Sequence, residues 1–194
     1  MARRPDPDPE TASQTAGPYV HIGCLPSVAG FHAVFDGDLG ASPIIEGAKG
    51  DVITVEGKIF DGYGDPLLDG MIETWQADAK GLYAGQAGAD PKVPGFGRRA
   101  TDAETGAFSF RTIRPGAAKG QAPHIAFWIV ARGINIGLLT RLYFPEDNHS
   151  DDPILSRIET AERAKTLIAA KIGDAAYRFD IRLQGDGETV FLDM

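Results

Sequence analysis

The sequence predicts a mainly β protein, an antiparallel β-sandwich with long loops and one or two short helices. Three observations predict it. Apolar and polar residues alternate over short stretches, as on half-buried strands. The chain has 24 Gly and 13 Pro, and these punctuate the stretches as turns. Only one segment repeats its apolar residues at helical spacing. Short strands, dense turns and little helix together favour two packed sheets.

Along the chain, Met1 to about Ala12 is rich in Pro and Asp and reads as a flexible extension, residues 1–12. The sandwich is expected as one domain over residues 13–194. Thr15-Ala16-Gly17-Pro18-Tyr19 begins the ordered part, and 23–49 reads as loop with room for a short helix. Strands are expected from Asp51 to Phe60, ending at the Asp61-Gly62 turn, and from Gly70 to Gln76. The second alternates Met71, Glu73 and Trp75 with Ile72 and Thr74. Further strands are expected at 107–113, 124–131, 137–144, 176–183 and 189–192. Ile154, Leu155, Ile158, Ala161, Leu167 and Ile168 recur with helical spacing after Asp152-Pro153. Thr160 is a candidate cap, although Arg163 rather than Glu follows three residues later.

Composition narrows the function. At 194 residues the chain can bury a substantial core. It is 43% hydrophobic and 24% charged, as soluble globular domains are. A net charge of -8 argues against a nucleic-acid surface, which needs clustered Lys and Arg. No apolar run approaches the roughly 18 residues of a membrane span. Arg3 and Arg4 precede no apolar segment, so no secretory signal is expected. A single cysteine, Cys24, permits no internal disulfide and reads as a small, partly buried apolar residue. Cytoplasmic residence is the expectation.

The motifs for chemistry are sparse. His21, His32, His124 and His149 form no zinc-like spacing. There is no Gly-rich phosphate loop and no Gly-x-Ser-x-Gly elbow. Glu146, Asp147, Asp151 and Asp152 lack EF-hand spacing and read as a solvated acidic loop. One stretch is unusual. Residues two apart on a strand share a face, so a His-x-His pair can place two imidazoles on one metal. Pro123-His124-Ile125-Ala126-Phe127 has that form with its second imidazole replaced by a methyl group.

From about Thr11 to Met194 the chain resembles the intradiol ring-cleaving dioxygenases of the protocatechuate-cleaving type. The segments that carry the resemblance are Gly70 to Tyr83, Gly106 to Gly116, Pro123 to Phe127, Thr140 to Phe144 and Tyr177 to Ile181. The family holds a ferric ion with two tyrosinates and two histidines, and hard Fe(III) suits phenolate oxygen. The resemblance implies Tyr83 and His124 as two ligand positions. At the other two this chain has Ala118 and Ala126, and Gln121 stands where an arginine usually faces the substrate.

Enzymes of this type are built from two homologous chains, an iron-bearing β chain and an α chain with a degenerate site. The segments Ser13–Gly23, Ala131–Ile136 and Gln184–Phe191 resemble the α kind. The resemblance then implies no metal and no catalytic residue in this chain alone, with Fe(III) bound by the partner β chain in a multimer of αβ units. It also implies that Thr15, Gly17, Pro18, Tyr19 and Arg132 line the partner's pocket for a small aromatic substrate and O2. Gly17 would allow close backbone approach, and Arg132 would meet a ring carboxylate. The product implied is 3-carboxy-cis,cis-muconate. Two rivals remain open from the residues: a self-sufficient enzyme with a substitute ligand, and a non-enzymatic binding or carrier module on the same fold.

Overall fold

The computed structural model describes residues 14–32 and 37–193. The expected extension, 1–12, lies outside the described residues. Helix α1 spans Pro18–Cys24. Strands β1 (Val52–Phe60), β2 (Met71–Gln76), β3 (Phe96–Ala100), β4 (Ala107–Ile113), β5 (His124–Val130) and β6 (Leu138–Tyr143) follow. A 3-10 turn at Leu155–Arg157 and helix α2 (Ala161–Lys165) precede β7 (Ala170–Gly173), β8 (Ala176–Arg178) and β9 (Ile181–Arg182).

Among the described residues the strands form two sheets. One has the order β4-β1-β8-β7, with β9 also on β1; the other has β3-β2-β5-β6. The sandwich is thus present, and most pairings are antiparallel. β8 and β9 are exceptions, since both run parallel to β1. After α2 the chain enters the first sheet at its edge as β7, reverses into β8, and there runs beside β1 in the same direction.

Alternation sets the core. β1 turns Ile53, Val55 and Ile59 inward, β4 Phe108 and Phe110, and β5 Ile125, Phe127 and Ile129. The rings of Phe108, Phe110 and Phe179 lie 5.3–6.3 Å from that of Phe127. Each such fully buried side chain contributes roughly 1.5–3 kcal/mol. Register then fixes the outer face of the second sheet. Trp75 pairs with Ala126, Ala126 with Arg141, and His124 with Tyr143. These residues look away from the core, on one surface.

Several elements differ from expectation. α1 was not expected as a helix; Pro18 takes its first turn, where a missing N–H costs nothing, and none of its residues is buried. β3, Phe-Gly-Arg-Arg-Ala, shows little apolar alternation because it is an edge strand with charged residues. β7 is another edge strand, exposed throughout. The expected strand 176–183 is two strands, because Asp180 leaves the ladder to accept from Lys58 N with its carboxylate. Residues 189–192 form no strand. Thr189 N bonds Arg182 O and Leu192 N bonds Leu139 O, so the segment bridges from one sheet to the other. The helical segment expected over 154–168 is a 3-10 turn plus α2, separated at Thr160, whose extended backbone and side-chain bond from Arg163 N cap α2.

Candidate functional site

Tyr83 is delivered by a turn that Asp78 organises. Its carboxylate accepts from the N–H groups of Lys80, Leu82 and Asp90. Burial alone would raise its pKa, but these donors hold it below the usual carboxylate value. Gly81 has φ +80°, and an added Cβ would lie 1.9 Å from Ala117 O. Only glycine fits there, and the contact brings the 117–118 segment against the turn. The Tyr83 ring stacks on Trp75 at 6.2 Å between centroids, 6° from parallel.

Across the site, His124 is 3% exposed. Its Nδ1 lies 2.8 Å from Ala122 O, which can only accept, so the proton is assigned to Nδ1 and the lone pair to Nε2. The Tyr83 hydroxyl, 3.3 Å away, then donates to Nε2. Burial lowers the His124 pKa, the bond to Ala122 opposes this, and the Arg141 charge lowers it further. Burial likewise raises the Tyr83 pKa, with Arg141 opposing. The other two positions, Ala118 and Ala126, present methyl groups.

The sequence reading missed the side chain that dominates this surface. Arg141 is only 7% exposed. Its Nη1 donates to Gln121 Oε1 at 2.7 Å and to Tyr143 Oη at 3.4 Å. The Tyr143 hydroxyl donates to Asp152 Oδ1 at 3.1 Å. Burial above all, together with the neighbouring Asp152 charge, pushes the Tyr143 pKa up to about 12, against the pull of Arg141. An arginine inside the apolar run Leu138–Phe144 was the available signal, since Arg is rarely buried without a reason.

Asp152 also departs from the expected solvated acidic loop. It is 2% exposed and accepts from the N–H groups of Ala122, Ile154 and Leu155. Burial would raise its pKa, and these bonds lower it. Glu146 and Asp147 are likewise engaged, with Lys171 and Arg114. Among the described residues no group of three or more His, Cys, Asp or Glu could hold a metal. Tyr83 and His124 alone, with two methyl groups and a buried guanidinium beside them, do not fit a four-ligand ferric site.

The N-terminal residues and Arg132 come together elsewhere. Gly17, Pro18 and Arg132 line a cavity of about 210 Å³ with Ala16, His21 and Asp69. Thr15 fastens the segment: its Oγ1 donates to Ala131 O at 3.3 Å and accepts from Gly133 N at 2.8 Å. Arg132 has a 76% exposed side chain and donates through Nε to Asp69 Oδ2 at 2.6 Å. Tyr19 is 85% exposed and does not line the cavity. Among the described residues nothing lies within 4 Å of a Cβ built on Gly17, and its φ of -129° suits any residue. The cavity sits past the Val130 end of β5, whereas His124 begins that strand. At about 3.3 Å per residue the strand separates them by roughly 20 Å. A larger cavity, about 880 Å³, is lined by Glu56, Lys58, Arg99 and Arg178 among others and contains none of the expected site residues.

Comparison with known proteins gives consistent relatives. Residues 32–122 match the family described as Dioxygenase. The chain is 43% identical to the protocatechuate 3,4-dioxygenase alpha chain of Pseudomonas putida, covering 95% of this chain and 96% of that one. It is 35% identical to the protocatechuate 3,4-dioxygenase beta chain of Burkholderia cepacia, over 79% of this chain and 74% of the relative. Among solved structures, the dioxygenase domain of a dioxygenase and carbohydrate-binding fusion from Streptomyces sp. SirexAA-E superposes with a TM-score of 0.57. It is 26% identical, over 77% of this chain and 88% of that one.

Proposed function

Since the chain belongs to the intradiol ring-cleaving dioxygenase family, we propose that it acts as the alpha chain of a two-chain protocatechuate 3,4-dioxygenase. In this reading the homologous beta chain carries Fe(III), and the pair cleaves protocatechuate with O2 to 3-carboxy-cis,cis-muconate. Intradiol dioxygenases are non-haem iron enzymes, and this chain's own residues do not complete such a site. No helix among the described residues is long and apolar enough to cross a membrane, and the proposed setting is the cytoplasm.

The observation that carries the reading is the separation of the two clusters. The Gly17, Pro18 and Arg132 surface lies roughly 20 Å along β5 from Tyr83 and His124. It cannot line this chain's own degenerate site. The space in front of Gly17, open among the described residues, supports an approach from outside the chain. Arg132 supplies the charge. Nε is committed to Asp69, and that ion pair fixes the guanidinium plane while its outer edge can face a ring carboxylate. Tyr19 would contribute at the rim, through contact with the beta chain. These roles for Thr15, Gly17, Pro18, Tyr19 and Arg132 are part of the proposal, as is one domain over residues 13–194.

Reconstitution tests this. The chain and its homologous beta chain are purified separately, mixed, and assayed for O2 uptake with protocatechuate. The expected result is activity and a multimer of alpha–beta units in the mixture, with none from the alpha chain. Turnover by the alpha chain alone would refute the reading. So would a beta chain whose activity and assembly are unaffected by adding it.

A further inference from the structure

The cavity beside α1, about 210 Å³, is lined by Ala16, Gly17, Pro18, His21, Asp69 and Arg132. Ala16, Gly17 and Pro18 offer it no polar side chain. Arg132 and Asp69 are joined to each other, Nε donating to Oδ2 at 2.6 Å. That pair is formally neutral, so an anion entering beside it meets the Asp69 carboxylate as well as the guanidinium. His21 is the remaining polar side chain among the described lining residues. Its ring makes no hydrogen bond among the described residues. Imidazole keeps at least one N–H to donate in either charge state.

Helix geometry and the two ends of α1 fix where His21 stands. It follows Gly17 by four residues and Pro18 by three, which places all three on one face. No residue of α1 is buried, so the helix is held at its ends. Before it, Thr15 bonds Ala131 O and Gly133 N, the two groups that flank Arg132. After it, Leu25 is buried and Arg98 Nη1 donates to Cys24 O at 3.2 Å. Arg98 is in turn fixed by Glu73, which accepts from both Nε and Nη2. Burial of Leu25 is non-directional, whereas the Arg98 bond acts along one line and limits rotation of the helix. His21 and Arg132 are therefore set relative to each other through the backbone.

Given the pocket role proposed for Gly17, Pro18 and Arg132, we propose that His21 is a second donor to the ring carboxylate of the substrate, beside Arg132, and selects carboxylated catechols over uncarboxylated ones. Its N–H offsets the repulsion from Asp69. Two donors from different elements also fix the direction of the carboxylate, and with it that of the ring.

His21→Leu and His21→Gln, made in the full chain and co-purified with the beta chain, test this beside Arg132→Ala. KM and kcat for protocatechuate are measured by O2 uptake, together with iron content and assembly. Catechol, which has the ring hydroxyls and no carboxylate, serves as a competing ligand. His21→Leu should raise KM for protocatechuate about tenfold, with kcat, iron, assembly and the inhibition constant of catechol unchanged. His21→Gln, which keeps an N–H donor, should recover most of the loss. An unchanged KM in His21→Leu, with Arg132→Ala raising it, overturns the role of His21 and leaves the pocket role of Arg132 standing. A KM that neither substitution alters refutes both. Equal weakening of protocatechuate and catechol also overturns the role of His21, because the side chain would then only shape the helix. Should the leucine substitution prevent assembly, His21→Ala decides on the same readouts.

Discussion

Arg132 donates to Asp69 through Nε at 2.6 Å, at the edge of the cavity that Gly17 and Pro18 also line. The pair joins the loop after β5 to the loop before β2, and it holds the guanidinium in one plane without burying it. An exposed ion pair of this kind contributes little to folding. Its importance lies in orientation, and the two residues should therefore affect substrate binding rather than stability.

Arg132→Ala, in the complex with the beta chain, should raise KM for protocatechuate about tenfold, the scale of one charge-assisted hydrogen bond. Iron content should be unchanged. Asp69→Asn should raise KM less, because the charge remains while its orientation is loosened. Steady-state O2 uptake measures both. An unaltered KM in Arg132→Ala would remove this residue from the pocket.

Thr15→Val removes the two bonds that fasten the N-terminal segment to Ala131 and Gly133. The sandwich should keep its thermal transition within a few degrees, since these bonds lie outside the core. KM should rise severalfold, and the segment before Pro18 should become more susceptible to limited proteolysis. A large loss of stability with normal KM would mean that the bond serves only the fold.

Gly81→Ala should be costly. The new methyl would meet Ala117 O at 1.9 Å in a backbone conformation that L-residues rarely adopt. A loss of roughly 2–4 kcal/mol in denaturant unfolding is expected. Gly17→Ala makes the contrast. No described residue lies within 4 Å of the added Cβ, so the isolated fold should tolerate it, while affinity for the beta chain or substrate should fall.

Acid should destabilise the protein through Asp78 and Asp152. Both are buried and both have lowered pKa values, because backbone donors outweigh the effect of burial. A carboxylate with a folded-state pKa below its unfolded value of about 3.9 adds stability above that value. This stability disappears as pH falls through the folded-state pKa, so the loss is expected below about pH 4. Asp152→Asn should flatten that acid limb and cost roughly 1–3 kcal/mol at neutral pH. Chemical unfolding at several pH values measures it.

Much of the architecture was legible because two-residue alternation is strong in β1, β2, β4 and β5. The edge strands β3 and β7 were not, since neither has a buried apolar face to impose a pattern, unlike β4 and β6 at the opposite edges. The parallel placement of β8 and β9 depends on how the chain crosses over, and no local signal encodes it. At the degenerate site, Ala118 and Ala126 could be read as losses from motif positions alone. Arg141 signalled its burial by standing in an apolar run, but its contacts could not be read from the sequence. The register sets it opposite Ala126, and the fold brings it to Gln121, twenty positions earlier. The same holds for Asp152, which looked like one acid in a loop and is a buried hub. Asp69 and Arg132 are 63 residues apart, and only the fold brings them together.

The central claim is that this chain supplies pocket walls and no iron ligand. Iron counted per alpha–beta pair in the purified, active complex tests it most directly, with each chain's amount fixed by amino-acid analysis. One iron per pair is the predicted result. Two irons per pair would contradict the account, because the second ion would have to sit in this chain.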